Sequence, residues 1–138
     1  MTAGYSGTPL AQKLGLKPAT RAVVVGAPQG YGRLVSPLPP GVRVVSRLPR
    51  TASFIHCFVK QRSELEQQLP RLARALEDSG MLWISWPKKS SGVATDVTEE
   101  VVRVAALANQ LVDVKVCAVD ETWSGLKLVR RLRDRTGG

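Results

Sequence analysis

Val112 to Arg131 reads VDVKVCAVDETWSGLKLVRR, and its spacing decides the fold. "VDVKVCAVD" (112–120) and "GLKLVRR" (125–131) are rich in the β-branched and apolar residues that suit strands. Between them stand only Glu121, Thr122, Trp123 and Ser124. So short a connection cannot house the helix that a parallel crossover needs, so the two strands must pair antiparallel as a hairpin.

Upstream of the hairpin, strands and helices alternate. "RAVVVGAP" (21–28) is a β-branched run without polar alternation, the pattern of a strand covered on both faces in a parallel sheet. "VRVVS" (42–46), "SFIHCFV" (53–59) and "MLWISW" (81–86) are further strands. "RSELEQQLPRLARALEDSG" (62–80) predicts a helix, with Ser63 and Glu66 at capping-box spacing and Leu65, Leu69, Leu72 and Leu76 along one face. Gly80 lies past its expected end, and Pro70 should kink or split it. "TDVTEEVVRVAALANQ" (95–110) predicts a second helix capped by Asp96, with Glu99 three residues on and Val101, Ala105 and Ala108 facing inward. Two shorter helices are expected: one in "GTPLAQKLG" (7–15), with Thr8 as N-cap, Pro9 in the first turn and Gly15 at its end, and one over 31–38, stopped by "PLPPG". The order β-α-β-β-α-β-α-β-β predicts a single α/β domain over 1–138, a three-layer Rossmann-like sheet, mostly parallel, with a C-terminal antiparallel hairpin. Residues 1–20 would form a helical brace and 130–138 a basic, disordered tail. The element order resembles the S-adenosylmethionine-dependent methyltransferase fold with one strand and one helix missing.

Composition narrows the class. The 43% hydrophobic and 22% charged content is that of an ordinary globular domain. No apolar run approaches the roughly 20 residues that cross a bilayer. "MTAGYSGTPLAQKLG" lacks the basic start and apolar stretch of an export signal, so a cytoplasmic protein with no membrane partner is expected. Cys57 and Cys117 sit inside apolar runs with no CxxC or His-rich spacing, predicting two buried reduced thiols and no metal. The net charge of +9 permits an anionic partner. "KLVRRLRDR" (127–135) supplies +4 of it, and a nucleic-acid reading would use this tail with Arg43, Arg47 and Arg50. A solvated charge run explains the tail equally simply, so nucleic acid is not the favoured partner.

Open parallel sheets bind ligands at the carboxyl ends of their strands, first of all after strand one. That turn is Gly26-Ala27-Pro28-Gln29-Gly30-Tyr31-Gly32. Its GxxxGxG spacing resembles the phosphate turn of short-chain dehydrogenases, and Ser46-Arg47 follows strand two where a 2′-phosphate contact would lie. Against nicotinamide chemistry stand the short following helix, the donor lost at Pro28 and the lack of a Tyr-x-x-x-Lys pair. Against methyl transfer, strand two ends in "VVSRLPR", with no carboxylate for a ribose. A nucleotide-like or anionic ligand held without chemistry, or a plain glycine turn, fits what is left.

A second candidate rim is Leu82–Gly92, LWISWPKKSSG. Strand alternation sends Trp83 and Trp86 to opposite faces, so they cannot form one stacking platform. Trp83 reads as core; Trp86 reads as core rim or site wall. Lys88 and Lys89 follow at the carboxyl edge, and the hairpin tip "VDETWSG" should bring Asp120, Glu121, Trp123 and Ser124 opposite them. The outcome is either ordinary rim ion pairs or a small polar pocket with acid/base capacity. Lone His56 reads as a satisfied core histidine. The ligand-binding candidates are therefore Gly26, Gly30, Trp86, Lys88, Lys89, Asp120, Glu121 and Trp123, with no catalytic residue, cofactor or metal assigned.

The wording of "GYSGTPLAQKLGLKP", "VVVGAP", "LWISWPKKSSGVATDVTEE" and "LVDVKVCAVDETWSGLKLVRR" resembles a bacterial family common in actinobacteria and known as domain of unknown function 3052. The likeness spans nearly the whole chain. It implies a small cytoplasmic protein without an assigned activity and supplies no catalytic residues. The expected function is non-catalytic small-ligand binding or regulation, with a small-molecule transferase at the same edge as the enzymatic alternative.

Overall fold

Ala22, Val23 and Val24 are buried, which only the interior of a two-sided sheet allows for consecutive strand residues. The computed structural model describes residues 8–131 and 134. In chain order these form α1 (Leu10–Lys13), β1 (Arg21–Val25), α2 (Tyr31–Leu34), β2 (Arg43–Val45), β3 (Ala52–Phe58), α3 (Arg62–Ala75), β4 (Leu76–Pro87), α4 (Glu99–Ala108), β5 (Leu111–Ala118) and β6 (Trp123–Arg130). The sheet order is β2-β1-β3-β4-β6-β5. The first four strands run parallel, and β6 is antiparallel to both β4 and β5. This is the mostly parallel Rossmann-like sheet with an antiparallel C-terminal pair that the sequence predicts.

Each face has its own core. On one, Leu65, Leu69 and Leu72 of α3 and Val102 and Ala106 of α4 cover Ile55, Leu82, Ile84, Leu126 and Leu128. On the other, Leu10 and Leu14 of α1 and Tyr31 and Val35 around α2 cover Phe54, Phe58, Trp83 and Trp123. Burying each such side chain contributes about 1.5–3 kcal/mol. Trp83 is wholly buried, and its Nε1 donates to the Leu14 carbonyl at 2.9 Å, which pins α1 to the sheet.

Several local expectations are corrected. Pro9 occupies the cap position of α1 with no side-chain cap, so Thr8 is not the N-cap. The helix does end at Gly15, whose φ of +80° allows Gly15 and Leu16 to donate back to Gln12 and Ala11. Helix α2 stops at Leu34 rather than 38. In α3 the capping box is Gln61 with Glu64, not Ser63 with Glu66. Pro70 lies inside one unbroken helix, whose buried leucines outweigh the one forgone hydrogen bond. Gly80 falls within β4, where a Cβ would meet the Leu76 Cδ1 at 2.9 Å and the Ser53 carbonyl at 3.0 Å. It permits the bulge between β3 and β4 there. Helix α4 is capped by Thr98, whose hydroxyl accepts from the Val101 amide; its buried face is Val102 and Ala106, with Val101 and Ala105 flanking and Ala108 exposed. Asp96 instead accepts from the Arg62 amide at 2.7 Å and so caps α3. Trp123 and Ser124, expected in the hairpin connection, already belong to β6. Of the tail expected at 130–138, residues 132, 133 and 135–138 lie outside the described residues, as do residues 1–7 of the brace.

Candidate functional site

At the carboxyl ends of β1 and β3 the chain leaves a cleft of about 430 Å3, lined by Gly26, Ala27, Pro28, Gln29, Phe58, Lys60, Glu64 and Trp123. Gly26 has φ +69°, and a Cβ there would stand 2.8 Å from the Phe58 carbonyl oxygen. Both the left-handed turn and the close approach of β1 to β3 therefore require glycine. Gly30 caps α2 at φ +86° with open space around it.

Behind the cleft lies an aromatic layer. Phe58 meets Trp123 edge-on with ring centroids 5.0 Å apart and stacks on His56 at 4.3 Å. Tyr31 meets His56 and Phe58 edge-on at 5.5 and 5.6 Å. His56 is wholly buried and bonded at both nitrogens, Nδ1 to the Tyr31 hydroxyl at 2.9 Å and Nε2 to Ser85 Oγ at 2.7 Å. Burial drives the imidazole down to about 3 and raises the Tyr31 phenol well above its ordinary value. His56 is thus a neutral link in a Tyr-His-Ser chain sealed under Phe58. The Cys57 thiol is pushed up to about 12, chiefly by burial, with Arg71 opposing and Glu64 adding. Neither Cys57 nor Cys117 is bonded to another cysteine, and both are buried.

Two carboxylates at the rim, Glu64 and Asp120, are bonded to backbone amides. Glu64 accepts from the amides of Lys60 and Gln61 at 2.8 and 2.9 Å, holding the start of α3. Asp120 accepts from the amides of Thr122 and Trp123 at 2.8 and 2.7 Å, folding its own turn.

The two rims meet as expected, through backbone. Pro87 pairs with Trp123, and the Lys88 amide donates to the Thr122 carbonyl at 2.7 Å. No ion pair joins Lys88 or Lys89 to Asp120 or Glu121 among the described residues. Trp86 is 6% exposed and packs in the α3–α4 core, away from the face that carries Trp123. Ser91 is spent locally, donating to the Lys88 carbonyl and accepting from the Val93 amide. Of the predicted residues, then, Gly26 and Trp123 line the carboxyl-edge cleft; Gly30, Trp86, Lys88, Lys89, Asp120 and Glu121 do not. Phe58, Lys60 and Glu64 are not among the sequence candidates, although Phe58 ends the third strand and Lys60 follows it, where the carboxyl-edge rule would place them. Another cleft, about 320 Å3, separates α3 from α4 and holds none of the predicted residues.

Several solved structures similar to this chain are described as methyltransferases. The ribosomal protein L11 methylase of Lactobacillus delbrueckii subsp. bulgaricus superposes with a TM-score of 0.58 at 12% identity, covering 88% of this chain and 75% of that one. The chain has a methyltransferase-like Rossmann fold. Magnesium protoporphyrin IX methyltransferase from Synechocystis PCC 6803, with bound S-adenosylmethionine, gives 0.57 at 12% identity over 88% of this chain and 74% of its own. A methyltransferase described as putative from Thermoplasma acidophilum gives 0.58 at 9% identity over 94% and 76%. No protein-family model and no curated protein matches the chain by sequence. Among the described residues no helix is long and apolar enough to cross a membrane, and no cluster of His, Cys, Asp or Glu is arranged to hold a metal.

Proposed function

We propose that the chain is a small-ligand-binding or regulatory protein, which takes a nucleotide-like or anionic molecule at the carboxyl edge of its sheet and does not transform it. The observation that carries this reading is the cleft between the Gly26–Gln29 turn and Trp123, at the place where open parallel sheets receive ligands. Phe58 and Trp123 give it an aromatic wall, and Lys60 supplies a cation for a phosphate or carboxylate. The engagement of the acids with backbone amides supports binding without turnover. Glu64 and Asp120 each hold two backbone amides on one carboxylate oxygen, and His56 is buried and neutral, so the acids and the imidazole serve the fold. Strand β2 ends in Val45-Ser46-Arg47, which offers a donor's ribose no carboxylate. Membership of domain of unknown function 3052 and a cytoplasmic location belong to the same proposal, supported by the phrase-level likeness and by two free cysteines.

Native mass spectrometry of the purified protein, followed by calorimetric titration with S-adenosylmethionine, S-adenosylhomocysteine, ATP and NADPH, tests it. A ligand at one hundred times its Kd should stabilise the fold by about 2.7 kcal/mol, a melting shift of several degrees. Lys60→Glu should weaken that ligand at least tenfold while leaving the melting temperature of the free protein unchanged. A flat response to all four with no co-purified mass, or methyl transfer to any acceptor, overturns the reading.

A further inference from the structure

The charge of this chain is partitioned. Residues 1–63 hold nine of the twenty Lys and Arg and not one Asp or Glu, while residues 64–138 hold the other eleven and all eleven acids. Residues 1–63 therefore carry a net charge equal to the whole +9, every cation but Arg62 of α3 lying in or beside α1, β1, α2, β2 and β3. The +4 of 127–135 is offset by the acids of 64–126. Lys17, Arg21, Arg33, Arg43, Arg47 and Arg50 are all exposed there. Among the described residues none of the six forms an ion pair, whereas Arg62, Arg103, Arg130 and Arg131 of the later part each pair with a carboxylate.

The topology gathers the five arginines on the β2 side of the sheet. β2 is the outermost strand, and Arg43 stands in register beside Arg21 of β1. Arg47 and Arg50 lie on the 46–51 crossover, whose Leu48 packs into the α3-side core. Arg33 belongs to α2, whose Leu34 packs into the opposite core. The cations thus bracket the β2 edge from both faces. Glu77 shares a surface depression with Arg21 but makes no ion pair with it.

We propose that this arginine-rich edge is a surface for the phosphate backbone of double-stranded nucleic acid, bound without regard to sequence. Five of the six cations are arginines, whose planar forks match phosphate oxygens in pairs. Single-strand binders add aromatic platforms for unstacked bases, whereas Tyr31, Phe54, Phe58, Trp83, Trp86 and Trp123 are all buried. A surface with forks and, among the described residues, no exposed rings grips backbones and reads no bases. The inference does not depend on the ligand cleft.

Fluorescence anisotropy with a labelled 20-base-pair duplex is the test, run beside the same length of single strand, vesicles of phosphatidylcholine and phosphatidylserine, and a poly-glutamate peptide. Contact with about 4 to 6 phosphates predicts a log–log salt slope near −4 to −5, a loss of about 10² to 10³-fold between 50 and 200 mM salt. The combined reversal Arg43→Glu, Arg47→Glu and Arg50→Glu should weaken duplex binding at least tenfold and flatten the slope by about 3. Arg71→Glu with Arg74→Glu, on α3 in the charge-balanced part, should leave affinity within twofold; melting curves confirm that both variants fold. Tighter binding to the single strand, the vesicles or the peptide, a slope shallower than −2, or equal loss from the α3 reversal overturns the proposal.

Discussion

The two faces of the sheet are built by different rules. The α3–α4 face is an apolar pack in which leucines, valines and alanines meet strand residues of the same kind. The α1–α2 face holds Trp83 bonded to a helix carbonyl and the buried Tyr31–His56–Ser85 chain. Apolar packing is set by volume and tolerates modest exchange, whereas a buried polar chain must be satisfied at every member. The face beneath the carboxyl-edge cleft is therefore the one that specifies a single arrangement.

The largest break in this comparison comes from Trp83→Ala. It removes a wholly buried indole and orphans the Leu14 carbonyl, and should cost about 3–5 kcal/mol in urea unfolding. α1 should then exchange its amide protons far faster than α3. The pH dependence sharpens the contrast. His56 stays neutral in the fold down to about 3, while the unfolded chain takes up a proton below its ordinary value near 6.5. Stability supplied by the neutral histidine is thus complete above pH 6.5 and is lost as pH falls toward 3, by about 1.4 kcal/mol per unit. Urea midpoints from pH 8 to 4.5 should fall less steeply in His56→Gln than in the parent, while Leu72→Ala on the apolar face shifts all midpoints equally. If the parent and His56→Gln profiles run parallel, the histidine is not sealed. The smallest effect is Thr98→Ala, which removes the α4 cap and should cost about 1 kcal/mol without altering the pH profile.

These faces differed in legibility for the same reason. β1 was plain because three consecutive valines admit little else, and the hairpin because its connection is too short for a helix. The α3 cap was misread because Gln61/Glu64 and Ser63/Glu66 share one spacing, and the point where the chain leaves β3 chooses between them. Asp120 was set against lysines, but its nearest donors are the amides two and three residues on, which no long-range pairing can outcompete. The Tyr-His-Ser chain joins residues 25 and 29 apart in sequence, so it exists only once β3 and β4 are in register. The cleft residues Phe58 and Lys60 follow from strand direction alone; Glu64 does not, because its side chain serves the helix start.

β2 carries one further consequence. With three residues it is the shortest strand of the sheet, and its outer side has no neighbouring strand. A bare edge offers unpaired amides and carbonyls to any extended chain, and a valine-rich edge invites self-association. Here the strand is brief, prolines stand on both sides at 39, 40 and 49, and Arg43 opens it with a charge. The arginine that would meet a phosphate also sets a charge on the edge where a second sheet would add.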